Sequence, residues 1–89
     1  MTRSEWLLSE LRVAGLSVAS LNDRIADHGM IGDPRWHEIR WIAESKYLGG
    51  NLIPDERFEA LETFEDLLPL IAKLRQELQR EKTRVLSTA

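Results

Sequence analysis

The chain has 89 residues, of which 43% are hydrophobic and 30% are charged, and its formal net charge is −3 at pH 7. This length allows one domain, and this balance is typical of a folded protein rather than a disordered one. The chain has no cysteine, which excludes disulfides, thiolate metal sites and cysteine nucleophiles. The acidic balance argues against non-specific binding to nucleic acid or to an anionic membrane.

The first predicted element is a long helix over residues 3–28. Thr2 and Glu5 have the spacing of a capping box, which marks a helix start. Apolar residues then recur at alternating intervals of four and three, the heptad pattern of helices that pack together: Leu7, Leu11, Ala14, Val18, Leu21 and Ile25. Gly15 lies inside this pattern, where glycine costs about 1 kcal/mol relative to alanine. Charged residues interrupt the apolar ones near the N-terminus, so we expect neither a signal peptide nor a membrane span.

The second predicted helix covers residues 34–48. Asp33 can cap the free amides of its first turn, and Pro34 suits the first helical position. Gly49 and Gly50 are expected to end it.

The last helical region is predicted over residues 54–86. Another heptad pattern runs through it: Phe64, Leu67, Ile71, Leu74, Leu78 and Val85. Pro69 interrupts this pattern, and a proline inside a helix kinks or breaks it at a cost of about 3 kcal/mol. Because the heptad stays in phase on both sides of Pro69, we expect a kink or a short break that keeps the helix direction.

These elements predict one all-α domain over residues 1–89. Its expected architecture is a helical hairpin or a small three- to four-helix bundle with heptad seams. A chain of this size buries only about 60% of the surface it would expose when unfolded, so we expect dimerisation to complete the core.

No catalytic or metal-binding motif is complete in the sequence. The segment HEIRW, residues 37–41, begins like the zinc-protease helix H-E-x-x-H, but Trp41 takes the place of the second histidine. His28, Asp33 and His37 could approach one another in space, but we expect them to be ordinary surface or capping residues. We therefore expect no enzyme activity, no bound metal and no cofactor.

Charge along the last region is strongly polarised. Residues 55–66 carry a net charge of −5, and residues 73–84 carry +3. This polarity either matches the dipole of one continuous helix or aligns two antiparallel copies around Pro69 and Leu70. The predicted helices within residues 34–66 also have the spacing of a DNA-binding helix-turn-helix. The acidic residues at the start of the last region, however, would repel the phosphates of DNA.

The aromatic helix over residues 34–48 has two apolar faces. At about 100° per residue, Trp36, Ile39, Ala43 and Tyr47 share one face, which we expect in the core. Trp41 lies about 140° from Trp36 on the same wheel, so we expect it to meet a second chain.

The sequence therefore predicts a small cytoplasmic protein–protein interaction module that acts through helix packing. An adaptor, a chaperone-like protein and a regulatory or inhibitor protein all fit this prediction. Its expected partner is a second copy, another protein or both, with no membrane. The predicted partner-binding residues are Trp41, Leu48, Phe64, Leu67, Ile71, Leu74 and Leu78. The alternative is a small DNA-associated regulator of phage or plasmid type.

Overall fold

The computed structural model describes the backbone of residues 2–87 and the side chains of residues 2–82. Over this part of the chain the protein is mainly helical and has no β-strand, which confirms the predicted all-α class. The elements in chain order are α1 (Arg3–Val13), a 3-10 turn (Ala26–His28), α2 (Pro34–Tyr47), α3 (Asp55–Glu59), a second 3-10 turn (Phe64–Asp66) and α4 (Leu67–Ser87).

Helix α1 begins as predicted, but it ends at Val13 instead of continuing to residue 28. The end is a Schellman cap. The N–H of Gly15 bonds to the carbonyl of Arg12, and the N–H of Leu16 bonds to the carbonyl of Leu11, each at 3.0 Å. Gly15 has φ +84°, a left-handed conformation that glycine adopts without steric cost. The predicted long helix was wrong because Gly15 caps α1 rather than lying inside it.

The heptad positions beyond α1 still reach the core, although they lie in a loop. Val18 and Ile25 are buried. The loop is fixed to the segment before α4 by hydrogen bonds from the N–H of Ile25 to the carbonyl of Glu62 (2.9 Å) and from the N–H of Glu65 to the carbonyl of Leu21 (2.8 Å). The sequence pattern therefore predicted correctly that these residues are buried, but it predicted a helix where the structure has a loop.

Helix α2 matches its predicted bounds to within one residue. Asp33 accepts a 2.8 Å hydrogen bond from the backbone N–H of Arg35, and Pro34 is the first helical residue. The guanidinium of Arg35 also donates to Asp33, which holds the pKa of that carboxyl below its usual value and raises the pKa of Arg35. After α2, Gly49 and Gly50 both have positive φ, so the predicted stop is confirmed.

The last region is broken before Pro69, not at it. Helix α3 ends at Glu59, and Thr63 and Asp66 form a capping box that starts the second 3-10 turn and leads into α4. Pro69 is the third residue of α4, where a backbone N–H has no partner within the helix and none is lost. Because Asp55, Glu56 and Glu59 lie in α3 and the basic residues lie in α4, the dipole of one helix cannot explain the whole charge polarity.

The described elements enclose one cluster of buried apolar side chains. Trp6, which the first heptad pattern did not include, is buried and meets the half-buried Tyr47 edge to face with ring centroids 5.1 Å apart. The other buried apolar residues are Leu7, Leu11, Val18, Ile25, Met30, Trp36, Ile39, Ala43, Leu48, Ile53, Phe58, Phe64, Leu67, Ile71 and Leu74.

Candidate protein-interaction site

The inner face of α2 is part of the core, as predicted. Trp36, Ile39 and Ala43 are buried. The Trp36 ring stacks on Phe58 at a centroid distance of 5.3 Å and meets the edge of Phe64 at the same distance. These ring contacts fix the rotation of α2 about its own axis, and so they determine which residues the helix presents outward.

The outer face of α2 presents a tryptophan to solvent. Trp41 is 63% exposed, although it lies in the middle of a helix that is capped at its first turn by Asp33. An exposed tryptophan carries a large apolar area, and this residue type is enriched among the residues that dominate binding energy in protein interfaces. Trp41 is therefore the centre of the candidate site.

A second exposed apolar side chain lies on the segment that follows α2. Leu52 is 76% exposed, whereas its neighbour Ile53 is buried. The backbone N–H of Ile53 donates a 2.6 Å hydrogen bond to the carboxylate of Glu44. Arg40 donates to the carbonyl of Ile53 and, at 2.6 Å, to the carboxylate of Asp55. Arg40 and Glu44 of α2 thus fix the backbone next to Leu52 against the helix that also carries Trp41.

A separate cleft of about 300 Å³ is lined in part by Trp36 and Phe58. Its walls include Ile31, which is largely exposed, and Leu61, which is half-buried. His37 and Glu59 are the ionisable side chains that line it. Ligand pockets are commonly about 300–1,000 Å³ and mostly apolar with a few convergent polar groups, so this cleft lies at the small end of that range.

The structure places most of the predicted partner-binding residues inside the single chain. Leu48, Phe64, Leu67, Ile71 and Leu74 are buried, so a partner cannot reach them on this surface. Phe64, Leu67, Ile71 and Leu74 carry the heptad pattern and pack into the core of the same chain, so their burial does not support the predicted partner-binding role. Leu78 is half-buried and Trp41 is exposed, so these two remain accessible. Val85, the last heptad position, lies outside the described side chains.

Sequence reasoning missed three exposed apolar residues. Ile31 and Leu52 lie in loops, and Val13 is the last residue of α1. All three side chains are largely exposed. No periodicity marks a residue outside a regular element. The one available signal was the position of Leu52 between the helix-ending glycines and Pro54, which indicates a loop.

The three residues that could have formed a polar site have separate partners. His28 lies 3.1 Å from the carboxylate of Asp23, Asp33 pairs with Arg35, and His37 contacts the ring of Phe58. Among the side chains that the structure describes, no three histidine, aspartate or glutamate residues are arranged to hold a metal ion. The prediction that the protein is not an enzyme stays a prediction.

Within the same described residues, none of the helices combines the length and the hydrophobicity that a membrane span requires. Comparisons of the chain with models of known protein families, with curated proteins and with solved structures found no match.

Proposed function

We propose that the protein is a small helical protein–protein interaction module that packs the outer face of α2 against another protein. The observation that carries this proposal is the 63% exposure of Trp41 on a helix whose inner face is buried in the core. An adaptor, a chaperone-like protein and a regulatory or inhibitor protein would all use such a surface.

The surface around Trp41 is pre-organised for binding. Helix α2 is capped by Asp33 and fixed by the Trp36–Phe58 stack, and the segment carrying Leu52 is held by Glu44. Ordering an interface costs about 0.5–1.5 kcal/mol for each flexible side chain that is immobilised. A rigid tryptophan on a fixed helix avoids most of that cost, so a small surface can still bind.

A second copy of the chain is one partner that this surface can accept. If two α2 helices pack antiparallel around Trp41, helical spacing sets Glu38 of one chain near Ser45 of the other. Both residues are exposed, and no like charges meet in this arrangement. This pairing moves the proposed dimer contact from α4, whose apolar residues are buried, to α2.

Capture experiments with a matched control test the proposal. The wild-type chain, Trp41→Ala and Val13→Ala are immobilised and exposed to an extract of the source cells, and bound proteins are quantified by mass spectrometry. Val13 is also an exposed apolar residue, but it lies on α1. We expect at least one protein to be retained by the wild type and Val13→Ala and to fall by about tenfold with Trp41→Ala, as loss of a binding anchor predicts.

Sedimentation velocity over a range of concentrations identifies a second copy as the partner. A wild-type dimer that Trp41→Ala dissociates and Val13→Ala leaves intact supports self-association through α2. The proposal is rejected if the wild type is monomeric and every captured protein binds equally to all three chains.

A DNA-associated regulator is the second candidate, and two observations weigh against it. Helix α3, in the position of a recognition helix, has five residues and includes Asp55, Glu56 and Glu59. These acids are exposed and would face phosphate. Binding to a DNA duplex that weakens steeply with salt would favour this candidate over protein binding.

A further inference from the structure

A cleft of about 250 Å³ lies between the C-terminal end of α2 and the middle of α4. Tyr47 and Asn51 form one wall, and Arg75, Leu78 and Lys82 form the other. The three α4 residues follow one another at intervals of three and four, so they share one face of that helix. Trp41 does not line this cleft, which makes it a surface separate from the one centred on Trp41.

Two cations line the cleft, and two more lie near the ring of Tyr47, which forms part of its wall. Arg75 and Lys82 line it directly. The guanidinium of Arg3 and the ammonium of Lys46 lie 5.6 and 5.7 Å from the centroid of the Tyr47 ring. None of the four forms an ion pair with a carboxylate among the described side chains, whereas Arg35, Arg40 and Arg57 each do. In a chain with a net charge of −3, this is a local concentration of uncompensated positive charge.

The acids nearest in sequence on α4 do not neutralise this cluster. Glu77 pairs with Arg57 at 3.1 Å, and Glu81 is exposed without an ion pair to any described cation. Unpaired cations around a concave surface favour an anionic ligand, since an arginine can bind a carboxylate through two parallel hydrogen bonds.

The apolar part of the cleft indicates what else the ligand carries. Tyr47 and Leu78 are both half-buried, so an apolar side chain placed between them would lose further water contact. The Tyr47 ring already contacts the two cations and the edge of Trp6. The net charge of −3 on the whole chain disfavours a nucleic acid as the ligand, because its many phosphates would be repelled by the rest of the surface.

We propose that this cleft binds an acidic peptide segment of a partner protein. Carboxylates of the peptide bind Arg75 and Lys82, and an apolar side chain between them packs on Tyr47 and Leu78. Recognition of acidic segments by clusters of cations is a known mode of peptide binding, in which charge selects the partner and sets its orientation. The site does not depend on the Trp41 surface, so either proposal can fail without the other.

An NMR titration of the full chain tests the site. The isotope-labelled protein is titrated with the peptide acetyl-Glu-Glu-Leu-Glu-Glu-amide and with acetyl-Gln-Gln-Leu-Gln-Gln-amide, which has the same shape without the charge. We expect saturable shifts of the amides of Tyr47, Asn51 and Leu78 with the acidic peptide and not with the glutamine peptide. Raising the salt concentration should weaken binding, because these charges are near solvent.

Two matched double variants distinguish binding at the cleft from non-specific electrostatic attraction of the peptide to α4. Arg75→Glu with Lys82→Glu reverses two charges in the cleft, and Lys73→Glu with Arg80→Glu makes the same change, seven residues apart, on α4 outside it. We expect the first pair to lower affinity for the acidic peptide by about tenfold more than the second pair does. Chemical-shift spectra without peptide establish that both variants are folded.

Three results would overturn the proposal. Equal loss of affinity in both double variants would mean that only the overall charge of α4 matters. Shifts located away from the cleft, or no saturable shift at all, would mean that the cleft does not bind acidic peptides. A single-stranded oligonucleotide that bound the same amides more tightly than the acidic peptide would make this a nucleic-acid site.

Discussion

The carboxylate of Glu44 accepts a 2.6 Å hydrogen bond from the backbone N–H of Ile53, nine residues later in the chain. The same carboxylate oxygen lies 3.5 Å from Nε of Arg40, whose guanidinium also reaches Asp55. Glu44 is the buried charged residue in the core of the described chain, and Arg40 is nearly as well covered, with its side chain 11% exposed. This pair fixes the loop after α2 and thereby the position of Leu52.

We predict that Glu44→Ala lowers the free energy of unfolding by about 3 kcal/mol, because it removes the buried carboxylate that faces Nε of Arg40 and accepts from the Ile53 amide. The pair of Arg40 with Asp55 survives, so the loss should lie at the lower end of the range for broken buried pairs. Glu38→Ala, the same change on the exposed face of α2, should alter stability by less than about 0.5 kcal/mol. Urea unfolding measures both, and equal stability of the two variants would contradict the buried role of Glu44.

The exchange rate of the Ile53 amide with deuterated solvent is a local test of the same contact. That amide should be protected in the wild type and in Glu38→Ala and should exchange rapidly in Glu44→Ala, since its acceptor is removed.

We predict that the two tryptophans of α2 differ sharply in their effect on stability. Trp36→Ala should cost about 3–5 kcal/mol, because it removes a buried ring that packs on Phe58 and Phe64. Trp41→Ala should change stability by less than about 0.5 kcal/mol, because most of the ring is in water. Thermal and urea unfolding give both values. A large loss with Trp41→Ala at protein concentrations where the chain is monomeric would show that the ring belongs to the core.

The effect of Gly15→Ala on the free energy of unfolding distinguishes a helix interior from a helix cap, because the expected change has opposite signs in the two cases. In the interior of a long helix, Gly15→Ala would stabilise the protein by about 1 kcal/mol. At φ +84° an alanine side chain is strained, although no atom lies within 4 Å of the added Cβ, so we expect destabilisation by about 1–2 kcal/mol. Ser9→Ala, at an exposed site inside α1, should stabilise slightly through helix propensity. Urea unfolding of both variants decides the sign.

Asp66 should make stability depend on pH. The backbone N–H groups of Thr63 and Glu62 donate to its carboxylate at 3.0 and 3.2 Å, and these bonds lower the pKa of Asp66 in the folded state. The unfolded chain therefore binds the proton at a higher pH. The stabilisation by Asp66 is complete above the unfolded pKa of about 3.9 and is lost as the pH falls through the folded pKa.

Asp66→Asn tests this dependence. We expect a loss of about 0.3–1 kcal/mol near neutral pH, since the asparagine amide oxygen can still accept these bonds but carries no charge, and a difference from wild type that shrinks toward zero in acid. Asp33, whose pKa is also lowered, is present in both proteins and so cancels in the comparison. Glu65→Gln changes a neighbouring exposed carboxylate and should leave the wild-type pH dependence intact. A pH-independent difference between Asp66→Asn and the wild type would contradict the assigned role.

The helical class, the bounds of α2 and the burial of most heptad positions could all be predicted from the amino-acid sequence. These features follow from local chemistry, since a cap such as Asp33–Pro34 and the spacing of apolar residues act within a few turns of a helix. The inner position of Trp36 and the outer position of Trp41 follow in the same way, because helical geometry sets the angle between them.

The residue at which the backbone leaves a helix, and the surface that covers each apolar face, depend on tertiary contacts. Gly15 is compatible both with a helix interior and with a Schellman cap, and the contacts of the following loop with residues 62–65 accompany the cap. Phe64, Leu67 and Ile71 form an apolar seam that is buried in the structure. From the sequence pattern alone, this seam could pack equally well against a second chain or against the rest of the same chain. The choice depends on contacts between segments far apart in the chain, such as the ring contact of Trp36 with Phe64, and the periodic pattern of one segment does not show which surface covers it.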